Sequence, residues 1–238
     1  MNKLNVQRFA SASAAAAAAG EALHNWLSQN SDQPLLLLLS AGSALGILDG
    51  VNPENLGEHV TISMLDERFS SDPEANNFLK LQKTPFYQSA RQQDCNFYGT
   101  LPRPKETKEQ LAKRLEENFK NWRNNNPNGK IMATIGMGSD GHIAGIFPFP
   151  ESADEFRWLF ESQTWIVAYN VGQKHQYKQR ITATGTFFKF IDFAVAYVCG
   201  REKKVKLNEL LAGKSDPYKL PAQIWRQIKN VQIFTDLE

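Results

Sequence analysis

Short apolar runs alternate along this chain with longer stretches in which apolar side chains return every three or four positions. Seven runs have the length and composition of strands: Leu35 to Ser40, Val60 to Leu65, Lys130 to Ile135, Trp165 to Asn170, Arg180 to Thr184, Phe193 to Cys199 and Val231 to Thr235. Unbroken apolar runs of this kind suit strands covered on both faces. Between the second and third lies an amphipathic helix, Thr107 to Arg123, with Leu111, Leu115, Phe119 and Trp122 on one face and charged residues on the other. Pro127 and Gly129 punctuate the passage to the next strand, and Gly213 to Pro221 separates the last two helical segments. Strands alternating with helices predict an α/β fold built on a mainly parallel sheet.

Composition narrows the picture. With 238 residues and 42% hydrophobic content, the chain can bury one sizeable core. No internal repeat or interdomain linker interrupts it, so 1–238 reads as a single domain. Lys and Arg total 27 against 25 Asp and Glu. That balance gives no reason to expect a nucleic-acid surface, and any anion binding has to be local. Cys95 and Cys199 stand apart, with no CxxC or nearby Cys/His cluster, and read as reduced thiols, a lone disulfide between them being the alternative. Lys3, Arg8 and the run Ala14 to Ala19 superficially suggest a signal peptide, but alanine is a strong helix former and only weakly apolar. The segment continues into Glu21, His24 and Trp26 as an ordinary helix does. Leu35 to Leu39 is far shorter than the roughly 20 residues that span a bilayer. A soluble, cytoplasmic protein is the expectation.

Ligands of open α/β sheets collect beyond the carboxyl ends of the strands, so residues just after each run matter most. Ser40-Ala41-Gly42-Ser43-Ala44-Leu45-Gly46 follows the leucine strand, and such a small-residue turn aims backbone N–H groups at one point, as a phosphate requires. It is not a P-loop, because no Gly-Lys-Ser/Thr follows. Asp66-Glu67-Arg68 ends the second run, with Asn76 and Asn77 shortly beyond. Three adjacent charges cannot all enter one core, so at least one faces solvent or a ligand; a surface ion-pair cluster is the plain alternative. Gly136-Met137-Gly138-Ser139-Asp140-Gly141-His142 is the most informative stretch. Its GxGxxG spacing calls for a long helix at the third glycine if it is to hold a dinucleotide, and Pro148 and Pro150 interrupt that path. The other reading is a sharp loop that brings backbone close to a ligand while Asp140 and His142 project functional groups. Lys174, Lys178 and Arg180 precede Ile181 to Thr184, and Arg180, whose planar fork suits phosphate, enters a strand where a purely solvated residue is less expected.

In this order the segments resemble the 6-phosphogluconolactonase branch of the glucosamine-6-phosphate isomerase/6-phosphogluconolactonase family. The most specific element is GMGSDGHIAGIFP at 136–148; DER at 66–68 with PEANN at 73–77, RITAT at 180–184 and LPAQIW at 220–225 are similar to further family motifs. The resemblance implies a Rossmann-like sheet with helices on both faces and no need for a metal or nucleotide cofactor. It implies hydrolysis of 6-phosphoglucono-1,5-lactone to 6-phosphogluconate, a step of the pentose phosphate pathway. His142 then activates water, with Asp66 or Asp140 orienting it, and Ser40, Gly42, Ser43, Arg68, Gly138 and Arg180 surround the sugar phosphate. A lactone carbonyl is already electrophilic, so a placed base, oxyanion stabilisation and a phosphate anchor suffice.

Two departures from the lactonase pattern accompany the resemblance, and one further position separates the branches. The first loop usually reads Ser-Gly-Gly-Ser-Thr-Pro, and Ala41, Ala44 and Leu45 replace a glycine, a hydroxyl and a proline. The Lys-Pro-Pro approach to the RIT motif becomes Gln-Tyr-Lys-Gln. The isomerase and deaminase branch usually carries a glutamate five residues after the histidine, where this chain has Phe147. Lacking that carboxylate, the chain fits lactone hydrolysis better than ring opening and deamination. A noncatalytic sugar-phosphate-binding homologue is the third alternative.

Overall fold

The computed structural model describes residues 4–238. Its elements run β1 (Asn5–Arg8), α1 (Ala12–Gln29), β2 (Leu35–Leu39), β3 (Val60–Met64), β4 (Asp66–Arg68), α2 (Asn77–Gln82), α3 (Pro85–Gln92), β5 (Asn96–Tyr98), α4 (Lys108–Asn125), β6 (Lys130–Gly136), α5 (Ala153–Phe160), β7 (Ile166–Asn170), β8 (Gln179–Ala183), α6 (Gly185–Phe188), β9 (Phe193–Tyr197), α7 (Lys204–Ala212) and β10 (Asn230–Thr235). Short 3-10 turns cover Gly42–Gly50, Pro53–Asn55, Arg201–Lys203 and Pro221–Gln227. All seven expected runs are strands, to within two residues at each end. The expected helix is α4, whose start is fixed by a capping box between Thr107 and Gln110.

Among the described residues the main sheet has seven strands, in the order β1-β10-β9-β6-β2-β3-β5, and every pairing in it is parallel. The five leucines of β2 show why the run is unbroken. Leu36 and Leu38 enter one apolar cluster and Leu35, Leu37 and Leu39 the other, because successive strand side chains point to opposite faces. Helix α1 covers the second face with Ala15, Ala19, Leu23 and Leu27, and α4 contributes Leu111, Leu115, Phe119 and Trp122 to the first cluster. The result is a Rossmann-like α/β fold.

Two expectations need correction. The runs at 165–170 and 180–184 do not join the parallel sheet: β7 and β8 pair antiparallel with each other, and β8 with β4, in a separate sheet of order β4-β8-β7. This small sheet shares a core with the large one, since Ile166, Ile181 and Ala183 lie in the same cluster as Ile131 and Ala133. Secondly, the last helical segment expected after Pro221 is a 3-10 helix, Pro221–Gln227, and not an α-helix, with Leu220, Ala222, Ile224 and Trp225 all buried. Three short strands, β1, β4 and β5, escaped the pattern. Cys95 and Cys199 are free and buried. Among the described residues, no helix is long and apolar enough to cross a membrane.

Candidate active site at the carboxyl edge of the sheet

The chain leaves β2, β3, β6 and β9 around one cleft of about 200 Å³. It sits where the sheet order reverses, because β3 and β5 extend from β2 on one side while β6, β9 and β10 lie on the other. At this point Ser40 N donates to Thr134 O at 3.1 Å, tying the end of β2 to β6.

After β6 the chain closes a tight loop in which Gly138 N donates to His142 O. Asp140 Oδ1 accepts two bonds from His142, from its backbone N at 3.0 Å and from ring Nδ1 at 2.6 Å. Burial pushes the Asp140 carboxyl up, but the ring hydrogen bond and charge of His142 outweigh burial and hold it below the ordinary range. An ionised carboxylate only accepts, so Nδ1 donates in this bond and Nε2 is the ring nitrogen left to face a ligand or water. The glycines make room for this arrangement. A Cβ on Gly138 would lie 2.1 Å from His142 Nδ1, and Gly141, at φ 87°, would place one 2.2 Å from Leu220 Cδ1. No helix begins until Ala153, so the loop is not the dinucleotide form of GxGxxG. Phe147 is buried beneath the histidine, its ring stacked at 4.5 Å between centroids, and Arg180 Cζ lies 5.4 Å from the same ring.

The opposite wall is cationic. Because 66–68 is a strand, Asp66 and Arg68 share the cleft face and Glu67 points the other way, into full burial. Glu67 accepts four hydrogen bonds, from Arg68 N, Asn77 N, Phe78 N and Thr100 Oγ1, at 2.6–3.0 Å. Burial nevertheless pushes its carboxyl up to about 7 against the pull of these donors. Across the ladder, Arg68 stands directly opposite Arg180. Like charges directly opposite are destabilising in a sheet unless something negative lies between or beside them. Asp66 supplies part of that charge, its Oδ2 3.7 Å from Arg180 Nη1 and 3.4 Å from Asn77 Nδ2. Arg180 is 2% exposed, and its Nε, Arg68 Nε, Asn77 Oδ1 and Ser40 Oγ are buried polar atoms without a partner within the protein. Such atoms are rare in folded proteins; the two guanidinium Nε groups and the Ser40 hydroxyl can donate to an anion, and Asn77 Oδ1 can accept from a hydroxyl.

The residues that the resemblance assigned to the site come together at this place. Ser40, Gly42, Ser43, Asp66, Arg68, Gly138, His142 and Arg180 line the cleft, and Asp140 sits behind His142. Of the two acids proposed to orient the histidine, Asp140 touches it, whereas Asp66 is turned to Arg180 and Asn77. Lys174 is directed elsewhere, to Glu151 and Pro148 O. Ala44 is buried and Leu45 packs on the second apolar cluster, so of the three first-loop departures only Ala41 reaches the cleft. Three further residues join the wall unannounced: Ala144, His175 and Lys203. Ala144 is held at φ 48°, a left-handed conformation that residues with a Cβ rarely adopt. His175 Nδ1 accepts from Tyr177 N at 3.1 Å. Burial, then the charges of Arg180 and Arg68, lower its pKa and keep it neutral, leaving an Nε2–H donor. Lys203 follows Gly200 beyond β9, a strand end the same positional rule covers.

Fold and site together define a doubly wound α/β protein with a histidine-bearing, arginine-walled cleft at the carboxyl edge of its sheet. The family model described as glucosamine-6-phosphate isomerases/6-phosphogluconolactonase matches residues 10–234, and the chain belongs to that family. Among solved structures it is similar to a 6-phosphogluconolactonase from Shewanella baltica, with a TM-score of 0.77, 20% identity and coverage of 99% of this chain and 97% of that one. It is similar too to the 6-phosphogluconolactonase of Trypanosoma brucei, with a TM-score of 0.71, 19% identity and the same coverages. A monomeric glucosamine-6-phosphate deaminase aligns with a TM-score of 0.71 at 16% identity over 98% of this chain and 97% of that one. At such identities the likeness shows the fold alone. Comparison with curated protein sequences yields no match.

Proposed function

We propose that this protein hydrolyses 6-phosphoglucono-1,5-lactone to 6-phosphogluconate. The observation that carries the reading is the Asp140–His142 pair, whose imidazole lines the same cleft as the opposed Arg68 and Arg180. In this reading the sugar phosphate is anchored between the arginines and the 40–43 turn, an arrangement suited to an oxyanion with several acceptor atoms. His142 Nε2 takes a proton from water as the water oxygen adds to the lactone carbonyl, and Asp140 stabilises the imidazolium. The tetrahedral adduct collapses with cleavage of the bond from the carbonyl carbon to the ring oxygen. His142 returns its proton to that leaving oxygen, and the new carboxylic acid ionises. His175, a neutral donor, is placed to bind a sugar oxygen. Phe147 stacks on His142 where the deaminase branch carries a carboxylate, which supports hydrolysis over ring opening.

The test follows freshly prepared 6-phosphogluconolactone against its spontaneous hydrolysis, with ammonia release from glucosamine 6-phosphate measured in parallel. Accelerated lactone loss without ammonia is expected. Ammonia above the buffer control would transfer the assignment to the other branch, and binding without either reaction would make the protein a noncatalytic sugar-phosphate binder.

A further inference from the structure

A second cleft, of about 530 Å³, lies at the amino edge of the main sheet, the end opposite the candidate active site. Four cations reach it from separate parts of the chain: Arg123 near the end of α4, Lys130 at the start of β6, Lys189 after α6 and Lys229 before β10. The chain as a whole carries only +2, so this is a local concentration that the overall balance conceals. One carboxylate, Asp192, lines the cleft, and both its oxygens are engaged, Oδ2 by Ile131 N at 2.9 Å and Oδ1 by Lys229 Nζ at 2.6 Å. The nearby carbonyls are also engaged, since Arg123 Nη1 donates to Pro127 O and Gly129 O. The charged groups that this leaves to a ligand are cationic, the ammonium groups of Lys130 and Lys189, with the side-chain amide of Asn128 beside them. One wall is aromatic. Phe190 is 37% exposed and is backed by Trp165 at 4.7 Å between ring centroids.

Cations brought together in one concavity repel one another, and a multiply charged anion bound among them relieves that repulsion with charge-assisted hydrogen bonds. A half-open aromatic face beside it suits a planar base. We infer that this cleft binds a nucleoside di- or triphosphate, with the phosphate chain on Lys130, Lys189 and Arg123 and the base against Phe190. The site is separate from the sugar-phosphate cleft and does not depend on what reaction that cleft performs.

The experiment titrates the whole protein with ATP, pyrophosphate and adenosine by calorimetry at about 0.15 M salt, where diffuse attraction between exposed charges is largely screened. ATP and pyrophosphate are expected to bind saturably and adenosine far more weakly. The double variant Lys130→Glu/Lys189→Glu should lose about tenfold or more in affinity for both, because each change replaces attraction by repulsion. Lys130→Gln/Lys189→Gln should lose less, and it serves as the test if the charge reversal unfolds the chain. Phe190→Ala should weaken ATP and leave pyrophosphate unchanged; equal effects on both would overturn the nucleotide assignment. Absence of saturable binding, or binding that survives both lysine pairs, would overturn the site. Loss on Arg180→Ala alone would do the same, because the anion would then occupy the sugar-phosphate cleft.

Discussion

At the scale of single residues, the histidine is placed by the absence of a side chain next to it. Gly138 leaves the space that the His142 ring fills, and a methyl group there would overlap Nδ1. Gly138→Ala should therefore displace the ring from Asp140 and lower turnover strongly, while the midpoint of thermal unfolding moves little because the loop borders the open cleft. Unchanged turnover in that variant would mean that His142 need not occupy its present position. His142→Asn keeps a polar side chain but cannot take up a proton, so kcat should fall about 10²- to 10⁴-fold, or roughly 3 to 5 kcal/mol of barrier, with KM little affected. Arg180→Ala should do the reverse and raise KM first, because an anion contact exists before the transition state as well as in it. Steady-state kinetics on the three variants separates these roles. Substrate binding that fails in His142→Asn while kcat holds would make His142 a binding residue.

At the scale of elements, three residues of β4 connect the site to the interior. Strand alternation sends Asp66 and Arg68 to the cleft and Glu67 inward, where it receives the first N–H groups of α2 and the hydroxyl of Thr100. Glu67→Gln turns an amide NH₂ toward at least one of these donors, and the loss should be about 1 to 3 kcal/mol in denaturant unfolding. The carboxyl is raised by burial from 4.5 to about 7 in the folded state, so the folded chain holds this proton more tightly than the unfolded one. The corresponding stability is fully present below the unfolded pKa and is lost as pH rises through about 7. Glutamine has no such proton, so the stability gap between the natural chain and Glu67→Gln should narrow from about pH 5 to 8. A gap that widens over this range would show that the four donors outweigh burial.

At the scale of the molecule, the two sheets are different in pairing yet share one apolar cluster. Ile166, Ile181 and Ala183 from the small sheet pack among Ile131, Ala133 and Leu115 from the large sheet and α4. We read the chain as one domain on that basis. Unfolding by urea should follow one transition, coincident by tryptophan fluorescence and far-ultraviolet circular dichroism. Two resolved transitions would make the small sheet a separate unit. Division of labour follows the same geometry: the large sheet supplies the histidine loop and the first turn, and the small sheet supplies the opposed arginines.

The five leucines of β2, the capping box before α4 and the Asp-Gly-His loop after β6 are local patterns, and they determined a central strand, the main helix and the candidate histidine without reference to any distant segment. Burial on both faces demands an unbroken apolar run, and a loop that approaches a ring within bonding distance demands glycine. Pairing is different, because nothing in Arg180 to Thr184 distinguishes an antiparallel partner of β4 from a member of the parallel sheet. Only the tertiary structure decided that Arg68 faces Arg180, that Asp140 and not Asp66 orients His142, and that Ala44 and Leu45 face away from the cleft. His175 and Lys203 stayed hidden for the same reason: each is one charged or polar residue among several in its segment, and the path of that segment over the sheet alone selects which one lines the cleft.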